Sequence, residues 1–147
     1  MRIESILHRK GSDVAMISPD ATIDEVVLTL CERRIGALVV SGDGRRIDGI
    51  ISERDVSQAL ATHGGQTLER RVDEVMTREV HTCTPSDTVD QLMATMTERR
   101  VRHVPVVAPD EPDQVIGIVS IGDVVKTRLD ELEAEARTLH EYISLGR

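Results

Sequence analysis

Two serine–aspartate pairs with the same spacing have the clearest capacity in this sequence to bind a ligand. Ser52 precedes Asp55 in "GIISERDV", and Ser120 precedes Asp123 in "GIVSIGDV". Each serine lies where an apolar run gives way to a helical pattern, so it can cap a helix whose N-terminus favours a phosphate. An ionised aspartate in the first turn can accept hydrogen bonds from the two hydroxyls of a ribose. The pairs therefore predict nucleotide contact, and simple helix capping is the alternative interpretation.

Basic and small residues accompany these pairs. Arg102 and His103 stand in "RVRHVPV", at the positions where the earlier "RIGALVV" has Gly36 and Ala37. A histidine here is compatible with a core residue, but an arginine on a short strand is not easily buried. The asymmetry predicts two unequal clefts: one half supplies two cationic side chains, and the other supplies small residues that leave space. Three further candidates lie close to the pairs in sequence: Arg54, Gly122 and Lys126.

The pairs close the two copies of an internal duplication. Residues 17–40, "ISPDATIDEVVLTLCERRIGALVV", align with residues 83–106, "CTPSDTVDQLMATMTERRVRHVPV", through shared Pro, Thr, Asp, "ERR" and the final Val. The copies differ in length at one connection, where "SGDGRRID" is replaced by "VAPDEPDQVI". A length change confined to a turn indicates a true structural duplication.

Each copy predicts a strand, a helix, two strands and a second helix. "TIDE" and "TVDQ" are capping boxes, in which Thr22 or Thr88 caps the helix and Glu25 or Gln91 reaches back. Apolar residues at helical spacing follow, and then two β-branched runs separated by a polar turn. A half of about 60 residues buries too little surface to be stable alone. We therefore expect the halves to pack face to face about a pseudo-two-fold axis, with two related clefts.

The composition argues against several classes of function. The chain has 18 Lys and Arg against 26 Asp and Glu, a net charge of −8, which disfavours nucleic-acid binding. One Tyr and no Phe or Trp leave no surface for base stacking. No apolar run has the length of a signal peptide or membrane span, so we expect a cytoplasmic protein that does not contact a membrane. Neither a P-loop nor GxGxxG is present, and no positioned nucleophile–base pair is evident, so we do not expect an enzyme.

The two cysteines, Cys31 and Cys83, are too few for a disulfide framework. Neither belongs to a CxxC pair, so the sequence predicts no metal site. Free cysteines usually behave as small core hydrophobes, and we expect both thiols to be reduced and buried.

The order of elements, with Gly, two apolar residues and Ser-x-x-Asp closing each half, resembles the CBS domain. Two copies in tandem resemble the CBS pair, or Bateman module, over about residues 5–130. The resemblance implies an α+β (mixed α/β) fold of two β-α-β-β-α repeats, at 8–66 and 73–130, followed by a C-terminal helix at 131–147.

The resemblance also implies a function. CBS pairs generally bind adenosine-containing ligands, here AMP, ADP, ATP, S-adenosylmethionine or NAD(H), in clefts between the repeats. The chain is similar to freestanding bacterial signal-transduction proteins, which implies a regulatory module that uses no catalytic cofactor and signals to an unknown effector protein. The alternative is a ligand-free interaction scaffold with degenerate clefts.

In the family, the matching aspartate holds the ribose, basic residues after the first helix contact phosphate, and the segment before that helix meets the adenine. Aliphatic residues such as Ile35, Ile50, Val101 and Ile118 would enclose the base, or are plain core. The nucleotide-binding set that the resemblance implies is Ser12, Val14, Ala15, Gly36, Ala37, Ser52, Arg54, Asp55, Thr77, Val80, Thr82, Arg102, His103, Ser120, Gly122, Asp123 and Lys126.

The C-terminal segment carries a heptad pattern. Its apolar residues step alternately by four and three: Val125, Leu129, Leu132, Ala136, Leu139 and Ile143. The pattern predicts an amphipathic helix that packs on its own domain or against a second subunit. CBS pairs commonly form flat dimers, so we expect a homodimer in either case.

Overall fold

The computed structural model describes residues 1–146, in which each half of the sequence forms a small sheet covered by helices. The helices and strands in chain order are α1 (Ile3–Lys10), β1 (Met16–Ile17), α2 (Ile23–Arg33), β2 (Ala37–Val40), β3 (Gly49–Ser52), α3 (Glu53–His63), α4 (Val72–Val75), α5 (Val89–Arg99), β4 (His103–Ala108), β5 (Glu111–Ser120) and α6 (Ile121–Leu145). A 3-10 segment, Gly64–Glu69, connects α3 to α4. The predicted mixed α/β class is confirmed.

The first helix of each repeat, α2 or α5, begins at the predicted capping box. The Thr22 hydroxyl accepts the Glu25 N–H at 3.3 Å, and Thr88 accepts the Gln91 N–H at 3.1 Å. Each helix ends at its "ER" pair, and the next residue is an arginine in the left-handed region. The N–H of this arginine donates to the helix carbonyl of Leu30 or Met96. The duplication therefore extends to the way in which each helix starts and stops.

The two halves exchange short helices. Ile3 and Ile6 of α1 are fully buried in the core of the second half, where they join Val104 and Val119. In the opposite direction, Val72 of α4 is buried in the core of the first half. Because each core is completed by the segment that precedes the other repeat, the halves form one interlocked body.

The second repeat differs from the expected β-α-β-β-α order because its first strand is reduced to a single bridge. In the first repeat, the Val39 N–H donates to the Ala15 carbonyl at 3.1 Å as β1 pairs parallel with β2. Pro105 takes the place of Val39 in the second repeat and has no N–H to donate. Pairing there is confined to one bridge between Cys83 and Val106.

The C-terminal helix is not a separate element. α6 runs without interruption from the Ser120 cap to Leu145. The C-terminal helix predicted at 131–147 is therefore the continuation of α6. Residue 147 of that range lies outside the described residues. Every described residue from Leu132 onward is exposed. Within residues 1–146, no helix is long and apolar enough to cross a bilayer.

Candidate functional site

The first Ser–Asp pair forms a capping box at the start of α3. The Ser52 hydroxyl accepts the Asp55 N–H at 3.3 Å, and Asp55 Oδ2 accepts the Ser52 N–H at 2.9 Å. The other carboxylate oxygen, Oδ1, accepts the Thr77 hydroxyl from the second half at 2.9 Å. Ser52 and Asp55 therefore do cap α3, and these bonds hold the Asp55 carboxylate at the boundary between the halves.

A cavity of about 340 Å³ opens around this carboxylate. Its size lies in the range of small-molecule sites. The first half supplies four of the predicted residues to its walls: Gly36, Ser52, Arg54 and Asp55. The second half supplies four more: Thr77, Val80, Arg102 and His103.

One wall of the cavity is apolar. Ile50 and Thr77 are joined by two backbone hydrogen bonds, with N–H to carbonyl distances of 2.9 and 2.8 Å. This pairing positions the segment that carries Val80, which also lines the cavity. Val101 lies among the lining residues of the second half. Gly36 also lines the cavity, and a Cβ there would lie 2.9 Å from His103 Cε1, so a larger residue would require the His103 ring to shift. Aliphatic side chains and the His103 ring thus form part of the cavity lining.

Cations also line the cavity. Four arginines line it: Arg54, Arg99, Arg100 and Arg102. Arg54 crosses between the halves and donates to the Arg100 carbonyl at 2.9 Å. Glu53, Asp55 and Glu79 also line the cavity, so four arginines against three carboxylates leave a surplus of one positive charge.

The surroundings of His103 favour its neutral form. Burial lowers the pKa of its imidazole, and the Glu53 carboxylate offsets that effect only in part. The ring therefore offers a hydrogen bond to a ligand rather than a charge. Lys10 and Asp123 also act on its pKa, so His103, which lines the Asp55 cavity, also lies within electrostatic reach of the second Ser–Asp pair.

The second Ser–Asp pair caps α6 in the same manner, but its carboxylate has a charged partner. The Ser120 hydroxyl accepts the Asp123 N–H at 3.2 Å, and Asp123 Oδ2 accepts the Ser120 N–H at 2.8 Å. The Lys10 ammonium lies 2.6 Å from the same Oδ2. Partial burial acts to raise the pKa of Asp123, but the bonds from Lys10 and Ser120 outweigh it and hold the pKa below its usual value.

The other predicted site residues lie outside the Asp55 cavity. Ala37 is buried within β2, and Ala15 is half-buried beside the first core, where its carbonyl pairs with the sheet. Val14 is also half-buried. Four are exposed: Ser12, Thr82, Gly122 and Lys126. The binding roles expected of these residues stay predictions.

Several lining residues were absent from the set that the sequence predicts. Gln58 follows Asp55 by three residues on α3 and therefore lies on the same face of the helix. This spacing could have predicted Gln58 as a lining residue. Glu79 and His81 flank Val80 on an irregular connection, and only the fold brings them to the cavity.

The two cysteines differ in environment. Cys83 is buried as predicted, and burial raises the pKa of its thiol to about 12. Cys31 is exposed, so the prediction that it is buried is wrong. Ile23, Val26 and Leu30 form the inward face of α2, and Cys31 follows Leu30 by one residue, about 100° around the helix. Within residues 1–146, no group of three or more His, Cys, Asp or Glu residues is placed to hold a metal ion.

Comparison with known proteins decides the family. The CBS domain model matches residues 3–62 and 72–130, beside the repeats predicted at 8–66 and 73–130. The chain belongs to the CBS domain family. Because two copies follow each other, it is a tandem CBS pair. The CBS-domain containing protein ATU1752 from Agrobacterium tumefaciens, a solved structure, is 42% identical with a TM-score of 0.82, and the match covers 86% of this chain and 92% of that one.

Two further relatives of this CBS pair are informative. CBS domain-containing protein CBSX3, mitochondrial, from Arabidopsis thaliana is 36% identical over 152 aligned positions, which cover 98% of this chain and 72% of that protein. The CBS domain pair of protein MJ0100 was solved in complex with 5'-methylthioadenosine and S-adenosyl-L-methionine. It is 25% identical with a TM-score of 0.75, and the match covers 86% of this chain and 98% of that chain.

Proposed function

We propose that this CBS pair is a regulatory module that binds a phosphorylated adenosine, such as AMP, ADP, ATP or NAD(H), in the Asp55 cavity. The observation that carries the proposal is the meeting of three features in one cavity: the Asp55 carboxylate, an apolar wall and four arginines. The carboxylate suits ribose hydroxyls, the wall suits the adenine and the arginines suit phosphate. The adenosine ligands of the MJ0100 pair support this assignment.

The charge of the cavity favours phosphorylated ligands over S-adenosylmethionine. Four arginines line it, and the sulfonium of S-adenosylmethionine would add a positive charge to them. A phosphate would instead neutralise the surplus with charge-assisted hydrogen bonds. Arg102 is one candidate for this contact. Its side chain, like those of Arg99 and Arg100, is exposed at the cavity and has no hydrogen-bond or ion-pair partner among residues 1–146.

Ligand binding would act on the contact between the halves. The cavity walls come from both halves, and Arg54 already links them through the Arg100 carbonyl. A ligand that spans this boundary stabilises whichever arrangement of the halves it fits better, and so shifts their populations. We propose that a separate effector protein reads this shift and that the chain itself performs no catalysis.

The proposal includes a homodimer formed in part by α6. The heptad residues Leu129, Leu132, Leu139 and Ile143 are 54, 45, 60 and 52% exposed, although they are large and apolar. Such a stripe on a helix is typical of a coiled-coil seam. A second copy of α6 would cover it.

A ligand-free scaffold is the second candidate function. The observation in its favour is that Asp55 already accepts hydrogen bonds from Ser52 and Thr77, so its carboxylate is satisfied without a ligand. A nucleotide would have to displace the Thr77 hydroxyl or share the carboxylate with it.

A thermal-shift titration separates these functions. Wild-type protein is titrated with AMP, ADP, ATP, NAD, NADH, adenosine and S-adenosylmethionine. A ligand at 100 times its dissociation constant should stabilise the fold by about 2.7 kcal/mol. We expect shifts from phosphorylated ligands that exceed those from adenosine and S-adenosylmethionine. Arg102→Ala should remove the advantage of AMP over adenosine, whereas Arg33→Ala, a matched exposed arginine on α2, should keep it. No shift with any ligand would favour the scaffold.

A further inference from the structure

The Asp123 carboxylate of the second half lies under a lysine from the start of the chain. Lys10 ends α1, and its ammonium donates to Asp123 Oδ2 at 2.6 Å and to the Ile118 carbonyl at 2.8 Å. The two side chains are only 30 and 24% exposed. One cation therefore engages both the carboxylate of the second capping box and the strand that leads to it.

In the first half, the corresponding backbone carbonyl and aspartate carboxylate accept hydrogen bonds from neutral groups. Ile50 stands where the second half has Ile118, and its carbonyl accepts the Thr77 N–H at 2.8 Å. Asp55 stands where the second half has Asp123, and it accepts the Thr77 hydroxyl at 2.9 Å. One threonine thus contacts the carbonyl and the carboxylate of the first half, and a single ammonium contacts those of the second. The threonine engages Oδ1 of its aspartate, whereas the ammonium shares Oδ2 with the capping N–H.

The body of α1 is docked so that Lys10 is held in this position. Leu7 packs on Gly117, where a Cβ would lie 2.6 Å from Leu7 Cδ2. Met76 packs on Gly49 of the first half in the same manner, with its Sδ 2.7 Å from the corresponding Cβ. Arg9 fastens the end of α1 to α6 through Thr127 at 2.6 Å and Asp130 at 3.0 Å.

We propose that Lys10 closes the second ligand cleft by occupying Asp123, so that each chain binds one adenosine ligand, at Asp55, rather than two. This inference rests on the proposed function of the Asp55 cavity. Ribose hydroxyls could donate to the Asp123 carboxylate, but the Lys10 ammonium adds the attraction of opposite charges to its hydrogen bond. Since α1 is anchored by its buried isoleucines, the ammonium is already in place and a ligand must displace it.

Isothermal titration calorimetry with AMP, and with ATP and NAD as parallel probes, tests this inference. We expect the wild-type chain to bind one equivalent and Lys10→Ala to bind two. The second equivalent should be lost again when Asp123→Asn is added to Lys10→Ala. Arg33→Ala removes one positive charge from an exposed surface on α2, and this control variant should still bind one equivalent.

Two results would overturn the inference about Lys10 alone: two equivalents bound by the wild type, or one equivalent bound by Lys10→Ala. Absence of binding to either protein with all three probes would overturn the proposed function as well. Because loss of an ion pair at a partly exposed site costs little stability, Lys10→Ala is expected to remain folded under the titration conditions.

Discussion

Gly49 and Gly117 occupy equivalent positions in β3 and β5, and alanine at each should have unequal effects. A Cβ at Gly49 would lie 2.7 Å from Met76 Sδ and 2.8 Å from the Thr77 carbonyl oxygen. A Cβ at Gly117 would lie 2.6 Å from Leu7 Cδ2, and its other near neighbours are also Leu7 atoms. The first substitution therefore forces a backbone to move, whereas the second requires only a side chain to turn aside.

The distances translate into different losses of stability. Overpacking a well-packed site typically costs about 1–3 kcal/mol. We expect Gly49→Ala to lower the free energy of unfolding by about 3 kcal/mol and Gly117→Ala to lower it by about 1 kcal/mol. For a chain of this size, the melting temperature should fall by about 6–12 °C and about 2–4 °C, respectively.

Urea unfolding of single and double variants checks the reasoning. Leu7→Ala removes every close neighbour of the new methyl at Gly117, so Gly117→Ala should cost nothing further in that background. Met76→Ala leaves the Thr77 carbonyl in place, so Gly49→Ala should remain costly there. Equal costs for the two glycine substitutions, or full rescue of Gly49→Ala by Met76→Ala, would refute the argument from contacts.

Three further predictions concern the thiols, one carboxylate and α6. In native protein a thiol reagent should modify the exposed Cys31 at once. Cys83 is buried and its thiol has a pKa of about 12, so it should react only after unfolding. Prompt reaction of both thiols would contradict the burial of Cys83. The pKa of Asp123 is lowered by folding, so the stability advantage of wild type over Asp123→Asn should be full near pH 6 and should shrink as the pH falls through the folded pKa. Urea midpoints measure this advantage, and a difference independent of pH would count against the ion pair. Leu132→Glu combined with Leu139→Glu should halve the mass found by analytical ultracentrifugation, and an unchanged mass would exclude α6 from the dimer contact.

Local signals in the sequence were sufficient for much of the fold. Each capping box depends on residues three apart, so the sequence alone identifies Thr22 and Thr88 as caps. Pro105 also carries a local signal, because a proline in place of Val39 removes a strand donor. Its effect on the second repeat was not predicted, because the expected strand order rests on the residues that the two copies share rather than on those that differ.

Long-range contacts account for what the sequence did not reveal. Lys10 meets Asp123 across more than two thirds of the chain, and nothing near Lys10 in sequence marks it as a partner. Its position depends on α1 docking into the second half rather than the first. His81 likewise reaches the cavity only because the halves interlock.

The central claim is that the Asp55 carboxylate binds an adenosine ligand. Calorimetric titration with AMP of wild type, Asp55→Asn and Asp123→Asn tests it most directly, because the two variants make the same change in equivalent capping boxes. We predict that Asp55→Asn abolishes the binding seen in wild type, whereas Asp123→Asn leaves a site of wild-type affinity at Asp55. Undiminished binding by Asp55→Asn, or its loss in Asp123→Asn alone, would contradict the claim.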